Sequence, residues 1–328
     1  MSDPKPYSRI AVLGAGAWGT ALALTALAAG RTVTLWVRED DVLESIRQTG
    51  RNPFLPGVLI PDTLTVTGDL KLALQAEALL LAVPAQVLGA FTARIAPHLA
   101  ADVPLVICAK GIEKDSGKLM HEVVGDAPIA ILSGPSFARD VALGLPTAVT
   151  IAAAEELAAR LQVSLSTPVF RPYASDDVVG VALGGAAKNV YAIACGVVEG
   201  LGLGENARAA LLARAFAELA RLGEALGARR ETLEGLSGLG DLVLTATSKS
   251  SRNFSFGVEL GQGKSVAELE RPGHPLAEGV ATAPALVKRA KAAGVELPIA
   301  EAMADLISGA LPLGEAVMRL MSRRLTTE

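Results

Sequence analysis

The chain has 328 residues and a net charge of −4; 51% of it is apolar but only 4% aromatic. That length accommodates two domains with cores of Ala, Val and Leu, and the charge balance excludes a chain-wide basic footprint for nucleic acid. Cys108 and Cys195 stand alone in apolar runs, and His98, His121 and His274 lack ligand spacing, so neither a disulfide framework nor a metal site is expected.

In chain order, MSDPKPYSR lacks the apolar core of a signal peptide. With two unpaired cysteines, the expected location is a reducing compartment, the cytoplasm. RIAVL (9–13) reads as a buried strand, followed by GAGAWG and a small-residue apolar run ending at Gly30, a helix C-terminal signal. TVTLWV (32–37) is the next strand, completing a βαβ unit. Gly14, Gly16 and Gly19 form G-x-G-x-x-G between that first strand and helix, the context in which the pattern signifies dinucleotide binding. The first glycine permits the tight turn, the second lets the backbone approach a pyrophosphate, and the third lets helix and sheet pack closely. The helix N-terminus supplies N–H donors to the phosphates. At the end of the second strand, Arg38 stands where a guanidinium meets a 2′-phosphate, which favours NADP(H) with NAD(H) also accepted. Glu39 and Asp40 are equally explained as acids in a helix first turn.

ALLLAV (78–83), PLVICA (104–109), PIAIL (128–132) and TAVTIAA (147–153) continue the alternation of apolar strands with helices. The expected fold is α/β: a Rossmann-like, doubly wound, mostly parallel sheet over residues 1–177. After residue 175 strand candidates all but vanish, and a helical second domain is expected over 178–328. It opens with VVGVALGGAAKNVYAIACGVV (178–198), long enough to span a membrane but with Lys188 at its centre. A central lysine costs about 2.5–3.5 kcal/mol on insertion, the run has no aromatic belt, and Asp176, Asp177 and Glu199 flank it. A buried helix of the protein interior is expected instead, with Lys188 kept from water for chemistry.

SGLGDLVLTATSKSSRNFSFGVELGQG (237–263) reads differently from the helical text around it. Ser251, Arg252 and Asn253 offer a hydroxyl, a bidentate cation and an amide, suited to a phosphate cage. The same triplet also fits helix capping beside a solvated arginine. Lys110, at a strand end, lies where open α/β sheets place ligand groups, although alone it reads as an ordinary exposed lysine.

GAGAWGTALA at the glycine loop, AKGIE (109–113), SGPSFA (133–138), GAAKNVYAIA (185–194), GLGENARAAL (202–211), GLGDLVLTATSKSSRN (238–253) and AEGVATA (277–283) occur in that order. Along nearly the whole chain they resemble the bacterial NAD(P)-dependent glycerol-3-phosphate dehydrogenases. The resemblance implies reduction of dihydroxyacetone phosphate to sn-glycerol 3-phosphate, the entry to glycerophospholipid synthesis, by a homodimer. It implies a catalytic role for Lys188 and substrate contacts at Lys110, Gly134, Ser136, Asp241, Ser251, Arg252 and Asn253. Nucleotide contacts are implied at Ala17, Trp18, Arg38, Lys110, Ala138, Arg252, Leu276 and Glu278. The family has Cys and Leu where this chain has Ala246 and Ala187. Its Asn before (Phe/Tyr)-Leu-Pro falls one residue late, as Asn52 in RNPFLPG, and the resemblance gives that residue no role.

Hydride delivery to a C2 carbonyl builds negative charge on its oxygen, which an ammonium at Lys188 stabilises and protonates. Desolvation and the cations Lys110 and Arg252 are expected to depress the Lys188 pKa, with Asp241 as the counter-group that limits the shift. Two rival readings share the fold. One is an enzyme of another hydroxy acid or sugar phosphate, which the SSRN cluster and Lys110 disfavour. The other is a nucleotide-binding sensor without chemistry, which Lys188 and Asp241 disfavour.

Overall fold

The computed structural model describes residues 4–125, 127–271 and 276–321; His274 lies outside them. The chain divides into two compact units, Met1–Lys110 with Met120–Ala182, and Gly111–Leu119 with Leu183–Glu328. The division falls five residues inside the helix expected to open the second domain. It also assigns 111–119, read from sequence as part of the first domain, to the second unit. There Lys288 Nζ donates to the Asp115 carbonyl, and Ile112 bridges Leu119 across the turn.

The first unit contains, in order, β1 (Arg9–Leu13), α1 (Ala17–Ala28), β2 (Thr32–Trp36), α2 (Asp40–Thr49), β3 (Thr65–Thr67), α3 (Leu70–Ala73), β4 (Ala78–Leu81) and α4 (Ala85–Ile95). It continues through β5 (Leu105–Ile107), β6 (Ile129–Ser133), α5 (Ala138–Ala142), β7 (Thr147–Ala152), α6 (Glu155–Leu165) and β8 (Phe170–Ser175). The sheet order is β3-β2-β1-β4-β5-β6-β7-β8, parallel at every pairing except β6 with β7. β4 and β5 are buried at every position, as expected for strands covered on both faces. The mostly parallel sheet is therefore as the sequence implied.

Two strands, β3 and β8, escape the sequence reading. β3 is only three residues long, and β8 carries Pro172, which argues against a strand. The sheet tolerates Pro172 because β8 is its edge, where a missing N–H breaks no ladder.

The second unit takes in most of α7 (Val178–Gly200), then α8 (Gly204–Ala225), α9 (Arg230–Glu234), a wide turn of helix at Leu236–Gly240, α10 (Asp241–Thr247) and α11 (Arg252–Gly261). It ends with α12 (Val266–Leu269), α13 (Glu278–Ala292), α14 (Pro298–Ile307) and α15 (Leu313–Met321). The segment 237–263, set apart in the sequence reading, is itself helical and interrupted only between α10 and α11. Its glycines and serines had obscured the helical period.

α7 passes the length and hydropathy test for a membrane span, but 89% of its apolar window is buried within the protein. Small residues let its neighbours approach to backbone contact. A β-carbon on Gly196 would overlap the Phe254 carbonyl oxygen, and one on Gly257 would overlap that of Ile193. Gly200 and Gly261 repeat the arrangement one turn on, against Val258 and Val197. The α7–α11 pair is thus a glycine-to-glycine crossing, which spends apolar volume to gain closeness.

Candidate functional sites in the two units

In the first unit the glycine loop joins β1 to α1. Gly14 has φ +111°, and a β-carbon there would press on the Ala82 carbonyl oxygen at 2.9 Å. Both constraints call for glycine. A β-carbon on Gly19 would overlap the Gly14 carbonyl oxygen, so the third glycine lets α1 sit against its own entry loop. Among the described residues, none beyond its chain neighbours comes within 4 Å of where a β-carbon on Gly16, the residue before α1, would stand, and no side chain of theirs caps the helix start. Ala17 and Trp18 form the first turn of α1, and Trp18 Nε1 is buried without a hydrogen-bond partner among the described residues. Uncapped N–H groups, an open approach at Gly16 and an orphaned donor fit the pyrophosphate of a dinucleotide.

Arg38 follows β2, its side chain 71% exposed, and donates from Nε to Glu39 Oε1 at 2.9 Å, with Nη2 on the same oxygen. On the other half of the sheet, Lys110 Nζ and Ser136 Oγ both donate to the Gly134 carbonyl at 3.0 Å. Gly134 has φ +144°, and a β-carbon there would stand 2.9 Å from the Val149 Cα, so the position calls for glycine. Lys110 is half-buried rather than the ordinary exposed lysine it resembled alone. Ala138 begins α5, packed against the sheet core with Trp18.

In the second unit Lys188 is 8% exposed, two helical turns from the Gly196 crossing. Its Nζ donates to Asp241 Oδ1 at 2.7 Å and to Thr245 Oγ1 at 2.9 Å. Thr245 Oγ1 in turn donates to the same Asp241 oxygen at 3.2 Å. Asp241 is 1% exposed, so its charge is compensated almost wholly inside the protein. The sequence identified Lys188 and Asp241 but missed Thr245. The available signal was its spacing, one turn after Asp241 on α10.

Ser251, Arg252 and Asn253 divide between the two readings left open. Ser251 Oγ caps α11 by accepting from Phe254 N at 3.2 Å, and Arg252 is exposed at the helix start. Asn253 is buried: Nδ2 donates to Asn189 Oδ1 at 2.9 Å, and Oδ1 accepts from Gly279 N at 2.9 Å. Asn253 thereby ties α7, α11 and the first turn of α13 together. Asn189, next to Lys188, is a second residue the sequence reading passed over. Glu278 opens α13, and Leu276 lies exposed two residues earlier.

One buried acid stands apart from this group. Glu218 on α8 accepts from Ile299 N at 2.7 Å, Ala300 N at 3.3 Å and the Tyr191 hydroxyl at 3.3 Å, capping α14. Burial nevertheless pushes its carboxyl up to about 7. A raised acid favours the folded state fully below its unfolded value, and the advantage fades as pH climbs through the folded one. Glu218→Gln is therefore expected to melt with less change between pH 5 and 8 than the parent, by at most about 3 kcal/mol. Calorimetry at both pH values checks this; parallel curves would refute it. Burial also pushes the Cys108 and Cys195 thiols to about 12, which leaves both unreactive at neutral pH.

Among the described residues no group of three or more His, Cys, Asp or Glu is placed to hold a metal. Two family models match the chain, described as the N-terminus of NAD-dependent glycerol-3-phosphate dehydrogenase over residues 9–159 and its C-terminus over 177–318. The glycerol-3-phosphate dehydrogenase (NAD(P)+) of Rhodospirillum rubrum is 55% identical over 326 residues, covering 97% of this chain and 93% of that one. The protein of the same name from Parvibaculum lavamentivorans is 50% identical, covering 98% of each chain. The crystal structure of glycerol-3-phosphate dehydrogenase from Coxiella burnetii superposes with a TM-score of 0.92 at 38% identity, covering 97% of this chain and 99% of that one.

Proposed function

The chain belongs to the NAD-dependent glycerol-3-phosphate dehydrogenase family, and from that premise we propose that it interconverts dihydroxyacetone phosphate and sn-glycerol 3-phosphate with NAD(P)(H). The observation that carries the chemistry is the buried Lys188–Asp241–Thr245 group. When bound, the nucleotide supplies the hydride. Lys188 Nζ stabilises the negative charge growing on the C2 oxygen and donates the proton that completes the alcohol. Asp241 compensates the ammonium before transfer, and Thr245 holds both groups in register. In the oxidation direction the neutral amine takes the hydroxyl proton.

The substrate phosphate falls to Arg252 with help from Ser251, Asn253, Lys110, Ser136 and Gly134. The hydrogen bonds of Ser251 and Asn253 support a framework role for that pair, which leaves Arg252 as the principal phosphate cation of the α11 start. Arg252→Ala is expected to raise KM for dihydroxyacetone phosphate by at least tenfold, the scale of a charge-assisted hydrogen bond. Equal damage to turnover of unphosphorylated dihydroxyacetone would contradict the phosphate assignment.

The nucleotide contacts belong to Gly14, Gly16, Ala17, Trp18, Gly19, Arg38, Lys110, Ala138, Arg252, Leu276 and Glu278, with NADP(H) preferred through Arg38 and NAD(H) also used. Glu39 shares that guanidinium, so the preference is a modest one. We place the protein in the cytoplasm as a homodimer supplying glycerol 3-phosphate for phospholipids; light scattering checks the dimer. The substrate class is tested in the oxidation direction, by offering sn-glycerol 3-phosphate, glycerol and 3-phosphoglycerate with NADP+ or NAD+. Nucleotide reduction with the first alone supports the reading; a preference for the carboxylate would transfer the enzyme to the hydroxy-acid class.

A further inference from the structure

Asn52 has no part in the reading above, yet it is 1% exposed and reaches the glycine loop. Its Nδ2 donates to the Ala15 carbonyl and to Thr20 Oγ1, both at 2.8 Å, and its Oδ1 accepts from Phe54 N at 2.9 Å. The loop that carries it is closed at its neck by Ile60 N donating to the Gly50 carbonyl at 2.8 Å, and is seated by buried Leu55, Val58 and Ile60. Asn52 is thus fixed on its own side and grips the Ala15–Gly16 peptide on the other.

A trans peptide points its C=O and N–H in opposite directions. Holding the Ala15 carbonyl on Asn52 therefore turns the Gly16 N–H away from Asn52. Gly16 immediately precedes α1, at the helix N-terminus where N–H groups recognise anions. Without a side chain there, little else opposes rotation of that peptide. We propose that Asn52 is a positioning residue for the nucleotide: its amide locks the Ala15–Gly16 peptide so that Gly16 N–H is presented to the pyrophosphate. The inference rests on the nucleotide-binding reading of the glycine loop.

A loop anchor and a peptide lock differ in what they disturb. Calorimetric titration of the full-length protein with NADPH, ADP-ribose and adenosine 2′-phosphate separates them, since the last lacks a pyrophosphate. Asn52→Ala is expected to weaken NADPH and ADP-ribose by about tenfold or more, the scale of a lost buried hydrogen bond. Adenosine 2′-phosphate should change less than about twofold, and kcat at saturating NADPH should hold while KM for NADPH rises. Asn52→Asp keeps the shape but sets a carboxylate against the Ala15 carbonyl, and should bind pyrophosphate ligands worse than Asn52→Ala does. Thr20→Val removes the second acceptor but keeps the Ala15 bond, and should stay within about threefold of the parent.

Unchanged ADP-ribose binding by folded Asn52→Ala, equal loss of adenosine 2′-phosphate, or parental behaviour of Asn52→Asp would each overturn the proposal. So would a tenfold loss in Thr20→Val, the arm that stands if Asn52→Ala does not fold. A parent protein that binds neither NADPH nor ADP-ribose would instead overturn the nucleotide reading, and the proposal with it.

Discussion

Lys188→Ala is expected to lower kcat for reduction of dihydroxyacetone phosphate by about 100- to 10,000-fold, the usual worth of a positioned general acid. NADPH binding should survive, because the glycine loop belongs to the other compact unit. The substitution also strands a carboxylate that is 1% exposed, and removing one partner of a buried pair costs about 3–5 kcal/mol. The rate is therefore read on protein whose melting has been recorded, with Lys188→Arg alongside. Arginine keeps the charge beside Asp241 but does not release its proton at any working pH, so it should bind nucleotide and remain inactive. More than a tenth of the parental rate in Lys188→Ala would remove the general-acid role.

The largest effect on folding is expected at the α7–α11 crossing. Gly257→Val would drive a branched side chain into the Ile193 carbonyl, with the Gly196 Cα 3.0 Å from its first carbon. Backbone does not yield as a flexible side chain does, so the cost lies at or above the upper end of overpacking, about 3 kcal/mol or more. For a protein of this size that lowers Tm by roughly 4 °C or more, or prevents folding. Gly314→Ala, on α15 with open space at the β-carbon, is the control and should melt like the parent. Equal melting of Gly257→Val and the parent would mean that the helices do not meet as closely as described. Because Lys188 lies two turns along α7 from Gly196, a tolerated Gly196→Ala should also show whether separating the helices costs activity before it costs stability.

What was legible in the sequence followed from how few ways some patterns can be satisfied. A glycine triplet between an apolar strand and a small-residue helix has one common use, and Gly14 and Gly19 proved to be required by backbone contacts. Lys188 stood out because an apolar helix tolerates a central charge only with a partner, and Asp241 is that partner. Thr245 and Asn189 were illegible for the opposite reason. A threonine or asparagine on a helix is unremarkable until the fold decides what lies one turn away. The SSRN run read evenly as a phosphate cage or a helix start, and Ser251 and Asn253 are occupied in holding α11, α7 and α13. β8 was hidden by Pro172, whose tolerance depends on an edge position that only the assembled sheet reveals. The grip of Asn52 on the glycine loop was not legible, since Ala15 and Thr20 are more than thirty residues away.

The most direct test of the account is the absorbance decay of NADPH mixed with the purified protein and dihydroxyacetone phosphate, repeated with NADH. Rapid oxidation of both, faster with NADPH and with that advantage lost in Arg38→Ala, is the predicted result. Tight NADPH binding without turnover of either nucleotide would contradict it, and would leave the Lys188–Asp241–Thr245 group to be explained by another substrate.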